Sequence, residues 1–179
     1  MAASDRERWD ARHTAAGAGS PLPPDALRGR TDLLPSSGRA LDVACGRGAV
    51  AVWLAMQGLD VVAVDVSPAG LAAGAGLAAG HDVRVRWVEA DLDAGFPRDD
   101  DRYDVVVCQR FRDPALYPAL RAALAPGGLL VVTVLSEVGD TGGPFRAVPG
   151  ELTAAFAGLE VLAHGEGDGE AHLVARLPA

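Results

Sequence analysis

Between Arg39 and Ala55 the chain passes from an apolar run into a glycine-containing turn and on into a second apolar run of helical composition. Arg39 to Cys45 reads as a short buried strand, Gly46-Arg47-Gly48 as the turn, and the helix starts near Gly48. Glycine takes backbone angles that other residues avoid and carries no Cβ. A ligand can therefore approach the main chain closely here, against the amide-rich start of a helix. Several nucleotide-binding families build such a turn, so by itself it selects a style of fold rather than a function.

The same rhythm continues toward the C-terminus. Asp60-Val61-Val62-Ala63-Val64 is a second strand ending in Asp65, and Val83 to Val88 is a third, leading into Ala90-Asp91-Leu92. Tyr103 to Cys108 is a fourth, and the continuous apolar run Gly128 to Leu135, after Leu124-Ala125-Pro126-Gly127, is a fifth, buried on both faces. Helices alternate with them. Ala49 to Gln57 stops at Gly58, a natural C-terminal position. Ser67-Pro68 and Asp113-Pro114 supply an N-cap and a first-turn proline for Pro68 to Ala79 and Ala115 to Leu124. Gly70, Gly74 and Gly76 each cost the first of these roughly 1 kcal/mol against alanine, so close packing must hold it. A short helix, Glu151 to Ala157, precedes Leu159 to Ala163 and Ala171 to Arg176, a β-hairpin around Gly165 to Gly169. Periodicity gives a doubly wound α/β domain.

The ends and the long loop are less regular. Asp5 to Thr14 suits a short helix with Trp9 and His13 on one side, the stretch to Pro24 is loop by its breakers, and Asp25 to Leu34 reads as another short helix. Ser136 to Val148 is a Gly- and Pro-rich loop of a length more often functional than idle. We read residues 1–179 as one domain, with 1–37 a lid or appendage and 38–179 the core.

Composition closes off several classes. With 179 residues, 49% of them hydrophobic and only 5% aromatic, the chain suits one domain with a parallel sheet under small-residue helices. A net charge of −8 disfavours nucleic-acid backbones as partners. No apolar run is long enough to cross a bilayer and the N-terminus lacks a signal-peptide core, so a soluble cytoplasmic protein is expected. There is no lysine, which removes lysine-based mechanisms. Cys45 and Cys108 lack metal-ligand spacing and read as small buried residues at strand ends; no metal is expected.

The ordered series of Asp42, the Gly46 to Gly48 turn, Asp65, Asp91-Leu92 and Pro126-Gly127-Gly128 resembles the class I S-adenosylmethionine-dependent methyltransferases. The resemblance covers Arg39 to Leu135 well and the ends poorly. It implies a three-layer, Rossmann-like fold with a mostly parallel seven-stranded sheet in the order 3-2-1-4-5-7-6, closed by the C-terminal antiparallel hairpin. Ligands of such sheets bind beyond the carboxyl ends of the strands where the order switches. Asp65, with the adjacent Val66, would take the ribose diol, and Asp91 and the Leu92 backbone the adenine. The methionine end falls to Asp42, to Ala44, Cys45, Gly46 and Gly48, and to the Cys108 carbonyl. Asp42 lies inside an apolar strand, where an unpaired charge is expensive, so it needs a partner. Ala44 stands where such families often have a first glycine, and its small side chain should fit.

Arg8-Trp9-Asp10-Ala11-Arg12-His13, followed by Gly17 and prolines, is similar to the N-terminal lid of the thiopurine and tellurite-resistance methyltransferases, small-molecule enzymes acting on thiols or soft anions. That likeness implies that Trp9 covers the cofactor's methionine end and that Arg12 approaches its carboxylate. Methyl transfer from a sulfonium needs alignment more than acid–base help. The catalytic candidates are therefore few, His13 and Arg110, while Arg110, Phe111 and Arg146 are candidates for binding the acceptor. Either arginine reads equally as the partner of a surface acid. The Asn-Pro-Pro-Tyr-type sequence of families that modify amide nitrogens is absent after the fourth strand, which disfavours nucleic-acid amino-methylation. Two alternatives stay open: a non-catalytic S-adenosylmethionine-binding partner protein, and an NAD(P)-binding oxidoreductase, since Gly46 to Ala51 satisfies G-x-G-x-x-A. The latter gives no reason for Asp42, Asp91-Leu92 or Pro126-Gly127-Gly128.

Overall fold

A computed structural model describes residues 2–15, 19–95, 102–139 and 143–179, with side chains from Arg6 onward. Its elements in chain order are α1 (Ala2–Ala15), β1 (Arg39–Val43), α2 (Ala49–Met56), β2 (Asp60–Asp65), α3 (Pro68–Gly80), β3 (Val85–Glu89) and β4 (Tyr103–Gln109), then α4 (Tyr117–Ala122), β5 (Leu124–Leu135), α5 (Glu151–Ala155), β6 (Glu160–Gly167) and β7 (Glu170–Arg176). The strands form one sheet in the order β3-β2-β1-β4-β5-β7-β6, as the family resemblance implied. β1, β2 and β3 pair in parallel, as do β4 and β5, while β7 is antiparallel to both β5 and β6.

The chain gathers into two compact units, residues 1–23 with 36–100 and residues 24–35 with 101–179. The appendage expected over 1–37 is thus divided between them.

In the first unit β1 and β2 run in register from Arg39↔Asp60 to Val43↔Val64. Ala40, Val43, Val61 and Ala63 are wholly buried, as strands with helices packed upon them must be. α2 and α3 cover this part of the sheet, and α1 packs on α3. α3 begins where the sequence places it: Pro68 sits in the first turn and the Ser67 hydroxyl accepts the Gly70 amide at 3.0 Å.

The second unit departs further from expectation. Asp25 to Leu34 is not one helix but two 3-10 turns, Asp25–Leu27 and Thr31–Leu33, because Gly29 between them turns to φ 73°. The helix expected over Ala115 to Leu124 shortens to a 3-10 turn, Pro114–Leu116, and α4. The chain then enters β5 four residues early, at Leu124, so Pro126-Gly127-Gly128 forms an irregularity inside the strand: Tyr103 faces Leu124, yet Val105 already faces Leu129. β6 is longer than expected and the hairpin turns tightly at Asp168-Gly169. The loop after β5 closes on itself: Ser136 bridges Ala147, and the Glu137 amide donates to the Ala147 carbonyl at 3.0 Å.

Candidate functional site

In the first unit, the candidate residues that the sequence marked on α1 and after the strands gather at the carboxyl ends of β1, β2 and β3. The turn after β1 holds left-handed backbone at Ala44 (φ 55°), Gly46 (54°) and Gly48 (72°). An alanine in that region is strained by about 1–2 kcal/mol. The Gly48 amide donates to the Cys45 carbonyl at 2.9 Å, and the Cys45 amide to Val64 at 3.0 Å, which fastens the turn to β2. The missing Cβ of Gly48 has its own explanation. A Cβ there would lie 2.4 Å from the Trp87 ring, and one on Gly74 2.5 Å from it, so the tryptophan of β3 fills the space that both glycines leave. A Cβ on Gly46 would come within 3.3 Å of the His13 imidazole.

Two carboxylates anchor this end. Asp65 is only 7% exposed; its Oδ2 accepts the Gly46 amide at 2.7 Å and its Oδ1 the Ser67 amide at 2.9 Å. A carboxylate offers about four lone-pair sites, so Asp65 retains acceptor capacity while locking the two turns together. Asp42, at 2% exposure, accepts the Ala51 amide, yet its Oδ2 is buried without a hydrogen-bond partner among the described residues. Burial pushes its carboxyl up to about 8. Burial also raises the Cys45 thiol well above its ordinary value, with Asp42 and Asp65 adding to the effect, which makes it a poor nucleophile. Val66 is half-buried between Asp65 and Ser67.

Asp91 caps the 3-10 turn Leu92–Ala94 by accepting the Asp93 amide at 3.0 Å, and Leu92 is buried. The Ala90 amide donates to the Asp65 carbonyl at 3.0 Å, so the third strand end is tied to the second.

α1 carries Trp9, Arg12 and His13. Trp9 and His13 stack with centroids 5.7 Å apart, as their spacing suggested, and the Arg8 and Arg12 guanidinium groups lie over the Trp9 ring at 5.6 and 5.1 Å. His13 is held below its ordinary pKa chiefly by burial, with Asp65 opposing, and is thus neutral near neutrality. Sequence reasoning missed Asp10 and Arg6. Asp10 accepts the Ser67 hydroxyl and the Ala69 amide, and Arg6 pairs with Glu89 at 2.9 Å. Their spacing with His13, positions 6, 10 and 13, was the available signal: one stripe of a helix.

In the second unit the residues after β4 are engaged within the chain. Arg110, at φ 56°, pairs with Glu170 at 2.6 Å. Arg146 donates from Nη1 to the Ser136 and Gly169 carbonyls at 2.8 and 3.1 Å, pinning the long loop to the β6–β7 turn. Cys108 is a buried thiol lying 3.6 Å from the Phe111 carbonyl, and its own carbonyl accepts the Gln109 side chain at 3.1 Å. Phe111 is half-buried.

The strongest polar cluster of this unit left no mark in the sequence pattern. Arg112 grips Glu151 through Nε and Nη2 at 2.8 and 2.6 Å, and the Tyr117 hydroxyl donates to the same carboxylate at 2.8 Å. The Arg112 bonds hold Glu151 below the usual carboxylate range, while burial and then Glu151 raise Tyr117. Among the described residues no group of His, Cys, Asp and Glu is arranged to hold a metal ion, and no helix is long and apolar enough to cross a membrane.

A doubly wound sheet with a left-handed glycine turn after its first strand and a buried acid ending its second defines an α/β protein of the cofactor-binding class. Residues 40–128 match the methyltransferase domain family, in keeping with the resemblance of the sequence to the class I S-adenosylmethionine-dependent methyltransferases. The chain is 29% identical over 145 residues to hemagglutinin 1 of Eikenella corrodens, which covers 75% of this chain and 48% of that protein. It is 33% identical over 106 residues to the ubiquinone biosynthesis O-methyltransferase of Marinobacter nauticus, covering 55% of this chain and 44% of the relative. The chain thus spans about half the length of these curated relatives. The fold is similar to that of TehB from Haemophilus influenzae, with a TM-score of 0.76 at 18% identity over 94% of this chain and 67% of TehB.

Proposed function

We propose that the chain binds S-adenosylmethionine at the strand ends of its first unit and transfers the methyl group to a small-molecule acceptor. The observation that carries the reading is Asp42: a buried carboxylate oxygen without a partner among the described residues, just before a turn with left-handed backbone. A buried charge in an apolar strand is expensive unless a ligand or proton answers it. The amino acid end of this cofactor brings an ammonium, which is the missing donor. Asp65 would accept the ribose hydroxyls with its remaining lone pairs, and the Leu92 backbone would meet the adenine, with Asp91 already serving as a cap.

When bound, the sulfonium supplies a good leaving group, so the protein's task is to align and to exclude water. His13 lies against Gly46 of the glycine turn, and Trp9 stacks on His13. We read the acceptor as a thiol or soft anion, because the N-terminal segment resembles enzymes of that kind and because such nucleophiles need little base assistance. The name of the Marinobacter relative offers a hydroxyl acceptor instead, which a panel of thiols, selenols and phenols separates. Isothermal calorimetry with S-adenosylhomocysteine tests the binding: micromolar affinity is expected, and stabilisation by NAD alone would turn the reading toward an oxidoreductase.

A second reading, binding without turnover, is favoured by the internal pairing of Arg110 and Arg112. Appearance of S-adenosylhomocysteine on mixing with a metabolite extract, and its absence without one, decides between the two.

A further inference from the structure

We infer that Asp10 is a positioning residue for the cofactor: its carboxylate clasps the start of α3 and thereby seats α1 across the ends of β1, β2 and β3. The inference rests on the binding proposed above for the same strand ends.

α1 has no apolar face to bury; from Arg6 to His13 it reads Arg-Glu-Arg-Trp-Asp-Ala-Arg-His. Its place must come from specific contacts along one stripe, and among the described residues three of them line up. Arg6 meets Glu89 at the end of β3, Asp10 meets Ser67 and Ala69 after β2, and His13 lies against Gly46 after β1 and against Gly70. They are not equal. The Arg6–Glu89 pair is 47% and 44% exposed, and solvent-exposed ion pairs contribute little. His13 meets the turn through ring contact. Asp10 bonds to a serine that is wholly buried.

Ser67 gives the clasp its reach. A hydroxyl has one proton to donate; here it goes to Asp10, which leaves the oxygen to accept the Gly70 amide at 3.0 Å. The Ser67 amide in turn donates to Asp65 Oδ1 at 2.9 Å, and Asp65 Oδ2 accepts the Gly46 amide at 2.7 Å. A continuous path therefore runs from α1 through Ser67 and Asp65 to the glycine turn, and His13 returns it to α1. Loss of the Asp10 carboxylate releases both the helix and the orientation of the serine that steadies Asp65. The Ala69 amide, at 3.2 Å, gives Asp10 a second hold at the positive end of α3.

The test is calorimetry of S-adenosylhomocysteine on the full chain as wild type, Asp10→Asn, Asp10→Glu and Arg6→Ala, with hydrogen exchange of the α1 amides measured alongside. Asp10→Asn should weaken binding about tenfold and speed exchange in α1, Asp10→Glu should restore part of both, and Arg6→Ala should change affinity less than twofold. Once an acceptor is known, Asp10→Asn should raise KM for S-adenosylmethionine and leave kcat within twofold, a split that general loss of fold would not give. Should Asp10→Asn fold poorly, Ser67→Ala opens the same clasp from the other side and should show the same loss. Wild-type binding with unchanged affinity in the Asp10 and Ser67 variants overturns this inference alone. Absence of binding by the wild type overturns it together with the function proposed above.

Discussion

The two units hold the charged side chains at their strand ends differently. At the strand ends of the first, carboxylates bond to backbone amides and keep acceptor capacity, and one oxygen of Asp42 has no partner among the described residues. After β4 and β5 in the second, Arg110, Arg112 and Arg146 are each bound to a carboxylate or a carbonyl of their own unit. The second unit also holds buried atoms without a hydrogen-bond partner among the described residues, Thr133 Oγ1 and Arg176 Nε. The orphaned carboxylate oxygen of the first, however, stands just before the glycine turn, and such a group carries its full desolvation cost. That difference supports the first unit as the proposed binding surface.

The largest expected effect attacks that contrast directly. Asp65→Ala should cost about a hundredfold in affinity for S-adenosylhomocysteine, or about 2.7 kcal/mol, while Arg112→Ala leaves affinity within about twofold on the same titration. Equal losses would erase the distinction between the units.

Next comes packing around Trp87. Gly74→Ala would put a methyl group 2.5 Å from the indole, and overpacking of that kind should destabilise by about 2 kcal/mol in urea unfolding. Gly76, with open space around it, should respond in the opposite sense, gaining about 1 kcal/mol as alanine.

Acid and base should separate the units further. Glu151 titrates below its ordinary 4.5 because of Arg112, so its contribution is present above that value and fades as pH falls through the depressed one. Asp42 runs the other way. Its folded carboxyl keeps a proton to about 8 that the unfolded chain releases near 3.8, so stability should decline as pH climbs between those values. Glu151→Gln should cost about 1–2 kcal/mol at pH 7 and flatten the acid limb of a stability–pH curve; Asp42→Asn should flatten the alkaline one. The smallest effect is expected for Arg110→Ala, within about 0.5 kcal/mol by thermal melting, since its side chain is 65% exposed.

How much of this the residues announced depends on how local the physics is. Strands, the Ser67-Pro68 helix start and the glycine turn were legible because each is fixed by a few neighbours in sequence: an apolar run, a cap, a φ that glycine favours. Trp9 and His13 could be paired from helical spacing alone. Elsewhere the deciding partner was distant. Gly48 was read as room for a ligand, yet its bare face fits an indole 39 residues on, arriving from β3. Arg112, Tyr117 and Glu151 carry no shared spacing, so nothing short of the fold could bring them together. The early start of β5 was hidden by Pro126-Gly127-Gly128, which punctuates like a turn but here lies within a strand. Among the candidate site residues, Asp42 and Asp65 announced themselves as acids in apolar strands, whereas Asp10 looked like one more charge on a polar helix.

The distribution of aromatic residues over the two units has a practical corollary. Trp9, Trp53 and Trp87 all belong to the first and Tyr103 and Tyr117 to the second, and the chain has no other tryptophan or tyrosine. Indole emission is therefore a native optical label for the first unit alone, so a denaturation followed by it reports on that half without attaching a dye.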